Sequence, residues 1–199
     1  LSLSVPAGRS QEPESRRGLA RLTADMLEEG TTGPAGAGRS GNELVDELDG
    51  LGARLTIHAQ DEELVLRLSV LDECLPRALE LLGDVVLAPR FAAADFARVQ
   101  RARLLEIDTR GDRIQELADD GFARLLFGAR HPKGAPALGV REHVVASSVA
   151  EVQEHWLARA RPAQARLAFV GALDQEGASA LWEGLRERWS GSAQALARA

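Results

Sequence analysis

At 199 residues, with 45% hydrophobic and 27% charged side chains, the chain has the composition of an ordinary globular fold. It is long enough for one well-filled core or two small ones sharing an interface. Its formal net charge of -6 argues against nucleic acid as the main partner, because phosphate binding requires a basic face.

Leu1, Leu3 and Val5 alternate with serines, the period of a half-buried strand, and Pro6-Ala7-Gly8 closes it. The alternation is already under way at Leu1, with no signal-peptide pattern before it, so further sequence upstream is expected. Residues 17–29 read as a helix through Leu19, Leu22, Met26 and Leu27, and the Gly/Thr/Ala/Pro-rich run 31–41 reads as a mobile loop. Helical spacing resumes over 42–51 through Leu44, Val45, Leu48 and Leu51, with Gly52 as its stop. Leu55, Ile57 and Ala59 alternate, as do Leu64, Leu66, Leu68 and Val70, and the polar Gln60-Asp61-Glu62-Glu63 joins them into an antiparallel hairpin.

Leu75, Ala78, Leu79, Leu82, Val85 and Val86 then form one helical stripe that ends at Pro89. Cys74, the single cysteine, reads as a small hydrophobe at the start of that helix; alone, it forms no internal disulfide and assigns no compartment. Helices over about 92–110 and 112–127 follow, the second carrying Ile114, Leu117, Phe122, Leu125 and Leu126. His131-Pro132-Lys133-Gly134 opens an irregular crossing. Ser148 with Glu151 three residues on has capping-box spacing, with Ser147 as a competing cap, ahead of a helix carrying Val149, Val152 and Trp156. Residues 166–173 read as a strand, and Leu181, Leu185 and Trp189 lie on a last helix. The order lacks a βαβα rhythm, so the expected class is α+β, an antiparallel β-sheet with helices packed mainly on one face. The lobe is expected to span 1–190, with 191–199 as a frayed tail. No apolar run approaches the roughly 20 residues that cross a bilayer, and no GxGxxG or phosphate loop supports nucleotide binding.

The segment Gly18-Leu19-Ala20-Arg21-Leu22-Thr23-Ala24-Asp25-Met26, continuing to Gly30-Thr31, resembles a helix of the insulinase/pitrilysin-type zinc metallopeptidases, G-L-A-H-x-x-E-H-M-x-x-x-G-T. Further landmarks of that family follow in order. They are LDGLGA over 48–53, Leu68-Ser69-Val70-Leu71 with Leu87-Ala88-Pro89-Arg90-Phe91, HPKG with Leu138-Gly139 (Lys133 replacing the usual tyrosine), and Phe169-Val170-Gly171. Together they cover about residues 1–190. The resemblance implies one lobe of a two-part clam built from duplicated α+β lobes, cut shortly after its last strand. In the bacterial proteins and in mitochondrial processing peptidase one half carries zinc while a similar partner lacks the ligands, and this sequence is most similar to that second kind. Bacterial relatives are often periplasmic or membrane-associated, which the resemblance extends to this chain.

The family motif works because residues i and i+4 share a helix face, so two imidazoles grip zinc while the glutamate activates its water. Here those positions are Arg21, Ala24 and Asp25. A guanidinium offers only donors, alanine takes no proton, and one carboxylate does not make a zinc site. The resemblance places the third ligand, a glutamate, within 96–105, and FARVQRARLL contains no carboxylate. The expectation is therefore no catalytic or metal-binding residue and no cofactor in this chain, with zinc confined to a partner half. Arg21 and Asp25 read either as an exposed i, i+4 pair worth about 0.2–0.5 kcal/mol, or as an arginine filling the vacated metal space.

Other constellations have bland readings. His131, His143 and His155 match no short zinc spacing and read as surface or helix-end histidines. His58 faces solvent or a partner. Glu28-Glu29 and Asp119-Asp120 read as solvated helix faces, and Ser147-Ser148 lacks a nucleophile elbow. Trp156, Trp182 and Trp189 read as core or interface. Arg98, Arg101 and Arg103 read as a solvated face, with the lining of a chamber for acidic peptides as the rival. The function expected is a non-catalytic lobe that pairs with a catalytic peptidase half or homologous lobe, closes the chamber and holds a peptide or unfolded protein, for instance by strand addition. A dimer is possible on this reading. Alternatives are a structural subunit related to respiratory-complex core proteins, or an enzyme with chemistry relocated to Asp25 and a histidine. The family's substrate-contacting arginine and tyrosine lie in a later lobe, and this chain has no tyrosine.

Overall fold

The computed structural model describes residues 1–33 and 38–196. Strand β1 (Ser2–Val5) leads through a helical turn to helix α1 (Leu19–Leu27), and a two-residue ribbon, β2 (Gly30–Thr31) with β3 (Arg39–Ser40), leads to α2 (Gly41–Gly50). The hairpin of β4 (Arg54–Ala59) and β5 (Leu64–Ser69) turns at residues 60–63, as their polarity predicts, and α3 (Leu75–Leu87) follows. Then come α4 (Ala93–Asp108), α5 (Ile114–Phe127), α6 (Arg141–Ala146), α7 (Val149–Arg159), β6 (Arg166–Ala168) and α8 (Gln175–Leu196). The main sheet has the order β4-β5-β1-β6 and is antiparallel throughout. The fold is α+β with helices gathered on one sheet face, as expected.

Alternation within the strands decides which sheet face is covered. Leu3, Val5, Leu64, Leu66 and Leu68 are buried beneath Leu81, Leu82 and Val85 of α3, Trp156 of α7 and Trp189 of α8. Burying such side chains stabilises by about 1.5–3 kcal/mol each. Both tryptophans satisfy their indole N–H, Trp156 on the Val86 carbonyl at 3.1 Å and Trp189 on that of Ala160 at 3.0 Å. Helix α1 lies between two cores. Ala24 and Leu27 join the sheet core, while Leu19, Leu22 and Met26 pack with Phe96 and Val99 of α4, Val144 of α6 and Val152 of α7. Its N-terminus is clamped by the turn after His131. Gly18 (φ +110°) and Gly139 (φ +97°) meet so closely that a Cβ on Gly139 would sit 2.6 Å from the Gly18 Cα.

Several boundaries differ from the sequence reading. The expected strand over 166–173 is shorter, Arg166–Ala168, with Ala168 paired to Ser2 of β1; Val170 is outside the sheet and exposed. The expected frayed tail is helical as far as Leu196, favoured by the alanines, glutamine and leucine after Ser192; residues 197–199 lie outside the described residues, as does 34–37 of the loop expected to be mobile. Helix α2 starts one residue early because Ser40 and Glu43 form a complete capping box, and the capping box expected at Ser148 and Glu151 is present. His155, read as a surface or helix-end histidine, is buried with Nε2 3.0 Å from the Ala7 carbonyl oxygen.

Candidate functional site

Asp25 sits on the second turn of α1, where the degenerate motif directs attention. Arg21, one turn earlier, approaches it at 3.6 Å (Nε to Oδ1), too far for a hydrogen bond. The main partner comes from another helix: Nη2 of Arg103 on α4 donates to Asp25 Oδ2, and its Nη1 donates to Glu106 Oε2. Arg103 is only 5% exposed, which corrects its reading as part of a solvated face. Phe96, Val99 and Arg103 follow one another at i, i+3 and i+7, so Arg103 takes a core-facing position on the stripe that α4 turns toward α1. That spacing was the available signal. Arg98 and Arg101 differ: Arg98 pairs with Glu29 while staying exposed, and Arg101 folds back on the Ala97 carbonyl.

These side chains do not fit a zinc ion. Asp25 and Glu106 are carboxylates, yet both are engaged by the same guanidinium, which has no lone pair to give a metal. Ala24 is wholly buried against the sheet and contributes only packing. The histidines are elsewhere and apart. His143 Nδ1 accepts from the Arg17 amide at 3.2 Å, His131 Nδ1 accepts from the Lys133 amide at 3.1 Å, and His58 is exposed on β4. Among the described residues no group of three His, Cys, Asp or Glu side chains stands close enough to share a metal ion. What the cluster can do is hold: one buried cation ties α1 to α4 through charge-assisted hydrogen bonds.

Of the acidic pairs read as solvated, Asp119 is exposed as expected, while Glu28, Glu29 and Asp120 each hold a partner. Glu28 Oε1 accepts a hydrogen bond from the Ile57 amide at 3.2 Å. Strand β4 is an edge of the sheet, so this amide points away from β5 to where an added strand would bond. Burial raises the pKa of the Glu28 carboxyl, while the Ile57 hydrogen bond opposes the rise and neighbouring Asp25 adds to it. Glu29 is largely covered and pairs with Arg98. Asp120 pairs with Arg110 and accepts from the Ala137 amide at 3.3 Å, fastening α5 to the lobe.

A residue with no sequence signal completes the setting. Glu12 is buried and its Oε1 accepts from the amides of Gly18 (3.2 Å) and Ala20 (2.8 Å), serving as a remote cap for α1. Burial raises its pKa, against the opposing pull of those two amides. Arg17, also buried, spans from the Glu12 carbonyl to that of Arg130. The N-terminus of α1 is thus set rigidly against the 131–139 turn.

Residues 1–124 match the family described as Insulinase (Peptidase family M16). Among curated proteins, an uncharacterised zinc protease of Mycobacterium tuberculosis strain H37Rv is 33% identical over 143 residues, 72% of this chain and 32% of that protein. The human mitochondrial-processing peptidase subunit beta is 23% identical over 176 residues, 88% of this chain and 35% of that one. The chain therefore spans about a third of the length of these relatives. A crystal structure of a peptidase M16 inactive domain from Pseudomonas fluorescens has the same fold, with a TM-score of 0.84 and 24% identity over 94% of this chain and 44% of that one.

Proposed function

Because the chain belongs to the insulinase family of peptidases, M16, we propose that it is a lobe without zinc chemistry of its own, one that pairs with a zinc-bearing half and helps enclose a peptide or unfolded protein there. The observation that carries this reading is the engagement of Asp25 by Arg103. Where the family motif places a metal ligand, the available carboxylate already neutralises a permanent cation. General-base help, worth about 10²–10⁴-fold in rate, is missing as well, since Ala24 is buried and cannot take a proton. The zinc, on this reading, belongs to the partner half.

The zinc-protease and inactive-domain relatives support the reading as family neighbours. The test is peptide cleavage by the purified chain, alone and mixed with a zinc-bearing homologous half. The chain alone is expected to be silent and the mixture to turn over peptide faster than the half by itself. Turnover by the chain alone, abolished by Asp25→Ala, would overturn the proposal.

A further inference from the structure

Helix α5 turns Ile114, Phe122 and Leu125 outward, at 81%, 67% and 88% exposure. Away from that stripe, its Arg124 joins the wall of a cleft of about 700 Å³ between the 14–17 turn, the end of α4 and the segment 134–143. Small-molecule sites typically measure about 300–1,000 Å³. Arg17, Arg110, Arg124, Arg141 and His143 line the cleft, and among its described lining residues Glu14 brings the only carboxylate. In a chain of net charge -6, this wall runs against the overall charge.

Two of these arginines are neutralised in place: Arg110 pairs with Asp120, and Arg141 with Asp108 at 2.8 Å. Arg17 and Arg124 are not, since no carboxylate pairs with either among the described residues. Arg17 carries the stronger argument. It is 7% exposed, and the other buried arginine, Arg103, holds two carboxylates. Arg17 has only the carbonyls of Glu12 and Arg130, both at 3.2 Å. Glu12 feels its charge, but turns its carboxylate to the Gly18 and Ala20 amides. A buried cation without a paired anion is costly, and the two carbonyls leave N–H donors of the guanidinium fork unused. His143 adds one more donor. Its Nδ1 accepts from the Arg17 amide at 3.2 Å, so the neutral ring carries its proton on Nε2.

We propose that this cleft binds a small oxyanion carrying two or more negative charges, with Arg17, Arg124 and the His143 Nε2–H as its partners. Phosphate and carboxylate groups both match the fork of a guanidinium. The proposal does not rest on the missing zinc chemistry around Asp25, so either can fail without the other. Isothermal titration calorimetry of the 199-residue chain at low ionic strength tests it, with pyrophosphate and citrate as separate probes. Saturable one-to-one binding of at least one probe is expected, with Kd below about 1 mM, and the probe that binds tells which group the cleft takes. Arg124→Glu, at an exposed side chain, is expected to weaken binding roughly tenfold or more. Arg54→Glu, the same charge change at an exposed arginine of β4 outside the cleft, should leave binding unchanged. Failure of both probes to bind overturns the proposal. So does binding that the two substitutions weaken equally, which would be attraction to overall charge, and so does binding that Arg124→Glu leaves intact.

Discussion

The guanidinium of Arg103 and the carboxylate of Asp25, 78 positions apart in the chain, are joined by a hydrogen bond that bridges α1 and α4. Glu106 takes the other side of the same guanidinium, and Arg113 approaches Glu106 at 3.7 Å from further along. Arg103 is far more buried than its acidic partners. Removing it leaves acidic groups around a hole, whereas removing Asp25 leaves the buried cation with Glu106 as its acidic partner and without its tie to α1.

Arg103→Ala is accordingly expected to destabilise the fold by about 2–3 kcal/mol, below the 3–5 kcal/mol of a fully buried pair because the carboxylates keep some water. The double change Asp25→Asn with Arg103→Met should recover part of that loss, since Asp25 no longer brings a charge to the emptied site and Glu106 keeps Arg113 within 3.7 Å. Urea unfolding midpoints of the three proteins check this. Equal stability of wild type and Arg103→Ala would mean that the pair contributes nothing to holding α1.

His155 gives the fold a defined acid sensitivity. Burial lowers its pKa from 6.5 to about 4, the Ala7 hydrogen bond opposes the shift, and Arg159 adds to it. A histidine depressed in the folded state takes up its proton more readily when unfolded, so its contribution is complete above pH 6.5 and is lost as pH falls toward 4. From pH 7 to pH 5 the loss is about 2 kcal/mol. Replacing His155 by Phe should flatten that part of the stability profile, measured as urea midpoints at the two pH values.

The carboxylates of Glu12 and Glu28 work in the opposite direction. Their pKa values are raised in the folded protein, so each favours the folded state less as pH climbs through the window between the ordinary carboxyl value and the raised one. Glu12→Gln retains an acceptor for Gly18 and Ala20 while removing the charge, and should match or exceed wild-type stability at pH 7. Glu12→Ala leaves two helix-end amides without their acceptor and should cost about 1–3 kcal/mol. Thermal midpoints of both variants distinguish a cap from a passive buried acid.

Glu28 also occupies the hydrogen-bonding edge of β4. Releasing it by Glu28→Ala should strengthen binding of an extended peptide to that edge, by about threefold to tenfold if one backbone hydrogen bond is made available. Fluorescence anisotropy with a labelled extended peptide reads this out. Unchanged affinity would place any peptide contact elsewhere.

Elements whose packing follows from their own periodicity were legible in the sequence. The alternation of β1 and β5, the stripe of α3 and the Ser148–Glu151 box each record a local preference that the fold keeps. What local pattern cannot hold is the partner across the fold. Arg103 looked like one of three surface arginines until α4 was laid on α1, although its i+7 spacing from Phe96 already put it on the inner stripe. Glu12 acts from outside any helix and had no pattern to show. The α5 hydrophobics had the right period for a core face, but periodicity reports that a stripe exists and is silent on whether it turns inward or outward.

The central claim is that a guanidinium stands where the family motif calls for a metal-binding set, and zinc binding measures it most directly. Native mass spectrometry of the chain, equilibrated with equimolar zinc and desalted, is predicted to show the metal-free mass, with no change in that result for Asp25→Ala. One zinc ion retained per chain, and lost on substituting Asp25, would contradict it.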